Sequence, residues 1–528
     1  MIIGIDLGTT FSVGAWVDAD GKPHVAPSRD GGHTTASVVM FEDGKVIVGK
    51  KAKDNAALDP YGVIPFVKRS MGKKGMTFFI DDKEYSPEEI SAMILKRVKE
   101  DCEAAIGEKV TDAVITVPAY FSDPQRKATS DAGKIAGLNV RMLINEPTAA
   151  ALAYVNTQSG KAQKVMVYDI GGGTFDVTII EICNGGKVQV LATHGNKNLG
   201  GVNFDNLLIN YARDEFTRKT GIDISDDDEA LQILRSRCEE AKKALSDSEC
   251  TTITMTAKRK SAEIKITREM FEKMIAPLIE ETEIDIDVTL EDSGLSPREL
   301  DKVLLVGGSS RIPMIKDFIR KKLNINPSDE LDPDEVVAIG AAIYGSRLEA
   351  AEEKAETSQI PEKADSQEAQ DAKIPDNRAK TEVLPITEVL QDVNSHGLGV
   401  VANNPETNRM MNNILIPRNQ PIPTSGRQTF ATIFDNQERV EVQVTEGDDE
   451  ELAYVSIIGT ATIDLPPHPA GSPITIELGY DGNGIITGRV FDEIEKKYVG
   501  DIRIDRKANM SENEVRKSAE RIDQEEFE

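Results

Sequence analysis

Val165-Met166-Val167-Tyr168-Asp169-Ile170-Gly171-Gly172-Gly173-Thr174 decides how the chain is read. An apolar run long enough for one buried strand ends in a carboxylate and three glycines. Glycine lets the backbone enter φ > 0 and approach a ligand closely, so that free N–H groups can grip phosphate oxygens. The threonine hydroxyl adds a donor, and the aspartate can hold a magnesium ion through its waters. The same order of residue types opens the chain, where Ile2-Ile3-Gly4-Ile5 runs into Asp6-Leu7-Gly8-Thr9-Thr10. A third turn, Gly307-Gly308-Ser309-Ser310, follows Val303-Leu304-Leu305-Val306. One such turn alone is more often a plain hairpin. Two that carry Asp, Gly and Thr in the same order predict two similar half-domains facing one another across a phosphate site. Neither GxxxxGK[ST] nor GxGxxG occurs, so a P-loop NTPase and a dinucleotide-binding dehydrogenase lose their main support.

Working outward, residues 1–348 alternate short apolar runs, such as Ala113-Val114-Ile115-Thr116-Val117, with longer amphipathic ones. In Glu229–Leu245 the residues Ala230, Leu231, Ile233, Leu234, Cys238, Ala241 and Leu245 repeat near the helical period. The pattern predicts an α/β region with a buried sheet. Residues 349–381 are acidic and lack aromatics, and are read as a disordered linker that buries too little apolar area to offset chain entropy. From 392 the period changes to two, as in Arg439-Val440-Glu441-Val442-Gln443-Val444 and Ile474-Thr475-Ile476-Glu477-Leu478. With turns at 435–436, 446–448 and 481–484, this predicts an antiparallel sheet domain of about 115 residues. Ser511-Glu512-Asn513-Glu514 is a capping box that opens a short helix within 507–528.

Composition closes several other doors. Ninety acidic against 62 basic residues give the 528-residue chain a net charge of −28, which repels nucleic acid and anionic membrane. Four scattered cysteines (Cys102, Cys183, Cys238, Cys250) form no disulfide framework and no CxxC pair, and five histidines include no HExxH. The start meets a carboxylate within six residues, unlike a signal peptide, and no apolar stretch approaches a membrane span. A cytoplasmic, soluble protein is expected.

The strings at 3–12 (IGIDLGTTFS), 115–129 (ITVPAYFSDPQRKAT), 144–154 (INEPTAAALAY), 167–177 (VYDIGGGTFDV) and 304–313 (LLVGGSSRIP) resemble the heat-shock protein 70 chaperones, closest to the bacterial DnaK type. The resemblance implies a multidomain chain: an actin-like α/β ATPase domain of two similar lobes (1–348), a linker (349–391), a β-sandwich that binds peptides (392–506) and a lid shortened to one helix (507–528). It implies slow hydrolysis of ATP to ADP and phosphate that gates affinity for hydrophobic segments of unfolded proteins. Asp6, Gly8, Thr9, Thr10, Gly171, Gly172, Gly173 and Thr174 would hold the nucleotide's phosphates, and Phe11, Gly200, Gly201 and Gly307 would also bind the nucleotide. Asp6 and Asp169 would hold magnesium through waters, with potassium as a further ion. Lys68 matches the lysine that orients the attacking water, and Glu146, Asp169, Thr174 and Asp176 complete the polar shell. Glu239, Lys242, Lys243 and Ser246 share one helix face and would meet adenosine with Gly308, Arg311 and Asp334 opposite. Lys243 stands where the family commonly has Arg.

The same resemblance assigns Pro118 and Arg126 to the relay that passes nucleotide state to the linker residues Val389, Leu390 and Asp392. It puts Asn145, with Arg141 nearby, on the surface read by J-domain co-chaperones, although Met142 replaces an Arg there. A nucleotide exchange factor is a second implied partner, and a monomer the implied state. In the sandwich Val440 matches the central peptide pocket, with Phe430 and Val442 beneath it and Ile433 on the arch opposite the region of Asn403. Glu388-Val389-Leu390-Gln391-Asp392 replaces a continuous leucine-rich run, so weaker docking onto the ATPase half is expected, and the short lid predicts fast peptide release. Two rival readings share the phosphate turns: a sugar kinase or filament-forming actin relative, which residues 392–506 oppose, and an ATP-binding adaptor with one dedicated partner.

Overall fold

The computed structural model describes residues 1–80, 82–157, 161–184, 186–328, 330–358, 390–404, 407, 409–502 and 509–528. The linker stretch 359–381, Glu388 and the coupling residue Val389 lie outside the described residues.

Two lobes repeat one design. In the first, β1 (Ile2–Leu7) turns back through Asp6–Thr10 onto antiparallel β2 (Phe11–Val17). An outer sheet holds β3 (Lys45–Val48) beside Val38–Glu42. The main sheet continues from β1 in parallel through β4 (Asp112–Val117) and β5 (Asn139–Asn145). In the second lobe β6 (Gln163–Ile170) turns back onto β7 (Phe175–Ile182), β8 (Val188–Asn196) pairs antiparallel with β7, and β9 (Lys302–Val306) runs parallel to β6. Each phosphate turn thus joins an antiparallel pair whose first strand has a parallel neighbour on its other side. Such strands, covered on both faces, read as the near-continuous apolar runs noted above.

Helices cover both sheets: α1 (Pro87–Ile106), α2 (Asp123–Ile135), α3 (Glu146–Thr157), α4 (Asp228–Asp247) and α5 (Val336–Ser358). The Ser86–Glu89 capping box starts α1, and the Asp227 carboxylate accepts from Ala230 N at the start of α4. The face of α4 that the period predicted is the buried one, with Ala230, Leu234, Cys238, Ala241 and Leu245 inside. Between the lobes α3 and α5 cross at a close approach. A Cβ on Gly340 would lie 1.7 Å from the Ala149 carbonyl oxygen, so only glycine fits.

The linker boundary needs correction. Helix α5 continues to Ser358, ten residues into the stretch read as disordered from 349. The segment Glu349-Ala350-Ala351-Glu352-Glu353-Lys354 buries little, but alanine and glutamate are strong helix formers and extend a helix already nucleated by packing. After the linker, β10 (Leu390–Val393) adds to the second lobe's sheet, with Leu390 opposite Val188 and Gln391 opposite Gln189 in parallel. Asp392 and Val393 therefore belong to this docked strand, where the sandwich was expected to begin, and they pair onward with Ile422 and Pro421.

The sandwich itself is two four-stranded antiparallel sheets. One orders Arg409–Ile416, Leu398–Asn404, Arg439–Glu446 and Ser456–Asp464; the other Thr424–Ala431, Pro473–Tyr480, Ile486–Asp492 and Lys497–Asp501. Leu398, Val400, Val442, Val444, Ile474, Ile476 and Leu478 fill the space between them. Helix α6 (Glu512–Gln524) starts at the predicted Ser511–Glu514 box. It packs on α1 and α2 of the first lobe, its Val515 and Ile522 entering that lobe's core. Among the described residues no helix is long and apolar enough to cross a membrane.

Candidate nucleotide site and its coupling to the sandwich

The two phosphate turns face one another closely. A Cβ on Gly172 would lie 2.6 Å from the Thr10 hydroxyl, and one on Gly173 2.6 Å from that of Thr9. The second turn is braced from behind: Gly201 N donates to the Gly171 carbonyl (3.0 Å), Val202 N to that of Gly172 (2.8 Å), and the Ser309 hydroxyl to Gly171 O (2.8 Å). These turns line a cleft of about 990 Å³ that brings together Asp6, Gly8, Thr9, Thr10, Phe11, Lys68, Glu146, Asp169, Gly171, Gly172, Thr174, Glu239, Lys242, Lys243, Ser246, Gly307, Gly308, Arg311 and Asp334. Gly173, Gly200, Gly201 and Asp176 are not part of the lining and act as its support.

Electrostatics in the cleft are strongly unbalanced. Lys68 Nζ lies 2.6 Å from Glu146 Oε1, and both side chains are buried. The Asp6 carboxylate accepts from the Thr116 hydroxyl (3.0 Å) and the Asp176 carboxylate from Tyr120 N (2.9 Å). Burial, then Glu146, pushes Asp6 and Asp176 each up to about 7, and pushes Asp169 well above the usual carboxylate range. One ammonium cannot compensate these acids, so the site favours added positive charge.

At the other end, two ammonium groups lie over the Phe11 ring, Lys53 Nζ at 4.9 Å and Lys243 Nζ at 4.7 Å from its centroid. Burial raises Glu239, but Lys53 and Lys243 outweigh it and hold the carboxyl at about 2. Lys242 is committed elsewhere, donating to Asp205 Oδ2 (2.8 Å) and Gly201 O (3.3 Å). Arg311 donates to Asp332 and Asp334. Sequence reasoning missed Lys53 and Arg69. Arg69 donates to Gly173 O (3.1 Å) and Asn203 Oδ1 (2.6 Å), clamping the second turn. The motif Pro65-Phe66-Val67-Lys68-Arg69 held that signal, since Arg69 adjoins the residue singled out.

From the cleft, a hydrogen-bonded route leads to the sandwich. Tyr120 N reaches Asp176, and Phe121 N closes the turn onto Pro118 O (3.1 Å). Arg126, fully enclosed, donates to Phe121 O (3.2 Å), Ala119 O (3.1 Å) and Asn145 Oδ1 (2.7 Å). Asn145 is therefore covered, not presented on a co-chaperone surface. The Thr148 hydroxyl donates to Asp392 Oδ2 (3.2 Å), fixing the linker strand. Beyond Arg126, Asp123 N donates to Glu446 Oε1 (3.2 Å), Ile486 N to Asp123 Oδ1 (2.8 Å) and Leu143 N to Asn483 Oδ1 (2.9 Å). The turn at 481–484 thus seats the sandwich on the first lobe.

In the sandwich, Ile433 is 80% exposed and Phe430 and Val440 are half-buried against the core edge, whereas Val442 is 1% exposed and belongs to the core.

Duplicated phosphate turns closing on one cleft define an actin-like nucleotide-binding ATPase, here with an antiparallel sandwich docked against it. Residues 2–359 and 380–528 match the family described as Hsp70 protein. The Chaperone protein DnaK of Thermotoga neapolitana is 41% identical over 495 residues, covering 92% of this chain and 77% of its own. That of Thermosipho melanesiensis is 41% identical over 494 residues with the same coverage, and that of Thermotoga maritima is equally similar over 495. The chain belongs to the Hsp70 family of ATP-dependent chaperones.

Proposed function

We propose that ATP turnover in the cleft switches this chain between gripping and releasing extended hydrophobic segments of unfolded proteins. The carrying observation is the run of contacts from Asp176 to Tyr120 N, from the Ala119 and Phe121 carbonyls to Arg126 on the helix that begins at Asp123, and from Asp123 to Glu446 and Ile486 of the sandwich, because it gives phosphate chemistry a way to move the peptide half. In this reading Lys68 and Glu146 orient the attacking water, and the N–H groups and hydroxyls of the two turns stabilise charge on the transferred phosphoryl. Phosphoryl transfer needs mostly such positioning and charge stabilisation. Asp6 and Asp169, crowded and short of positive charge, fit a magnesium ion held through water, which would neutralise the phosphates. Glu239, Lys243 and Ser246 on one side and Gly308 and Arg311 on the other would hold adenosine. Phe430, Ile433 and Val440 would meet the peptide, with Val442 supporting from the core.

A J-domain protein and an exchange factor are the expected partners of a monomer. The test is steady-state ATP hydrolysis with and without an unrelated hydrophobic peptide and a J-domain protein. A several-fold rise is expected. A rate indifferent to both, in protein that binds ATP, would sink the proposal.

A further inference from the structure

The last described strand, β11 (Glu526–Phe527), pairs in parallel with the outer edge of β3 on the ATPase half, Glu526 opposite Lys45 and Phe527 opposite Val46. On its other side β3 is paired with Val38–Glu42, so this edge would otherwise present unpaired backbone groups, which proteins normally cover or blunt. Glu528 N extends the ladder to Val46 O (3.1 Å).

Side chains make the pairing specific. Phe527 packs against the first lobe's core with Lys96 Nζ 4.5 Å from its ring centroid. Three acids meet a basic rim: Glu525 Oε1 accepts from Lys83 (3.2 Å) and the Tyr85 hydroxyl (3.1 Å), Glu526 pairs with Lys45 (3.3 Å), and Glu528 pairs with Lys51 while its carbonyl accepts from Arg97 (3.3 Å). A strand edge, an apolar seat for one aromatic ring and a ring of cations together form a receptor for an extended acidic peptide with a central aromatic. Strand addition of this kind draws affinity from the main chain and selectivity from alternate side chains.

We propose that the outer edge of β3 is a peptide-strand site whose ligand is Glu525–Glu528 of the same chain, acting as a latch. Residues before it tie the latch to the docked arrangement: α6 packs on α1 and α2, and Asn509 Nδ2 donates to Pro124 O (2.8 Å) beside the Asp123 contact with Glu446. A chain latched here resists separation of its halves whatever occupies the nucleotide cleft. The inference needs neither ATP turnover nor peptide binding by the sandwich.

The test reads hydrogen exchange at the Leu390 and Gln391 amides of β10 in the nucleotide-free full chain. A chain lacking residues 525–528 is expected to exchange at least fivefold faster. Lys45→Cys with Glu526→Cys, oxidised in a Cys250→Ser background, is expected to exchange at least fivefold slower and to recover with reductant, since directly opposed strand positions suit a disulfide. A fluorescein-labelled peptide of residues 521–528 should bind the shortened chain and not the intact one. Equal exchange in shortened and intact chains overturns the latch. Failure of the peptide to bind the shortened chain, or equal binding to both, overturns the strand site.

Discussion

Lys68 Nζ sits 2.6 Å from Glu146 Oε1 inside the cleft, and the same ammonium opposes the raised carboxyls of Asp6, Asp169 and Asp176. Because the pair is buried, its loss has two separable consequences. Removing one partner leaves the other charge uncompensated at a cost of ~3–5 kcal/mol, whereas removing both is far milder. Lys68→Met should therefore lower the urea midpoint, and Lys68→Met with Glu146→Gln should restore most of it. Single-turnover hydrolysis should fall by ~10² or more in both, with ADP affinity little changed, the pattern of a group used mainly in the transition state. Normal single-turnover hydrolysis in either variant would remove Lys68 from the reaction.

Arg126 makes a different kind of prediction. Its guanidinium serves three acceptors at once from a fixed plane, which an ammonium on a flexible stem cannot reproduce. Arg126→Lys is expected to keep basal ATP hydrolysis within about twofold while peptide stimulation drops ~5-fold or more, a loss of ~1 kcal/mol of coupling. Unaltered stimulation would show that coupling runs by another route.

Val440 and Val442 lie two residues apart on one strand yet differ in exposure, so they should fail differently. Val442→Ala opens a hole in the sandwich core and should cost ~2 kcal/mol of stability by chemical denaturation. Val440→Phe should leave the melting temperature nearly unchanged and weaken hydrophobic-peptide binding at least tenfold, more than ~1.4 kcal/mol. Equal peptide affinity in a folded Val440→Phe protein would move the pocket elsewhere.

What could be read from sequence was local. The phosphate turns, the strands feeding them and the face of α4 each follow from residues within about ten positions of one another. Lys53 was not readable, because its partner Glu239 is 186 residues away and the Lys50–Asn55 segment carries no motif. Residues 349–358 read as disorder from their low hydrophobicity, although alanine and glutamate extend a helix at little cost. Leu390–Val393 and Glu526–Phe527 are strands only because distant edges receive them. Neither has an alternating pattern long enough to announce a strand, so tertiary pairing supplied what propensity lacked.

The seat of the sandwich on the first lobe predicts a pH dependence with a definite sign. Burial, with Asp123 beside it, pushes Glu446 up to about 8, and burial, with Lys197, Arg126 and His194 nearby, pushes His396 down to about 3. When the halves separate, each returns toward its ordinary value, 4.5 for Glu446 and 6.5 for His396. Docking therefore takes up a proton at Glu446 between pH 4.5 and 8 and weakens as pH rises through that window. His396 acts oppositely, releasing a proton on docking only below pH 6.5, so it adds no slope above that value. Asp392 and Asp481, also raised by burial, share the sign of Glu446 but begin from a lower ordinary value. Between pH 6.5 and 8 the net effect is weaker docking, about 2 kcal/mol at most from Glu446 at ~1.4 kcal/mol per pH unit. Donor and acceptor dyes on the two halves should report falling transfer efficiency across this range. Glu446→Gln should flatten the profile, while His396→Leu should leave it sloping as before. A wild-type profile that is flat, or that rises with pH, would show that Glu446 does not carry the proton.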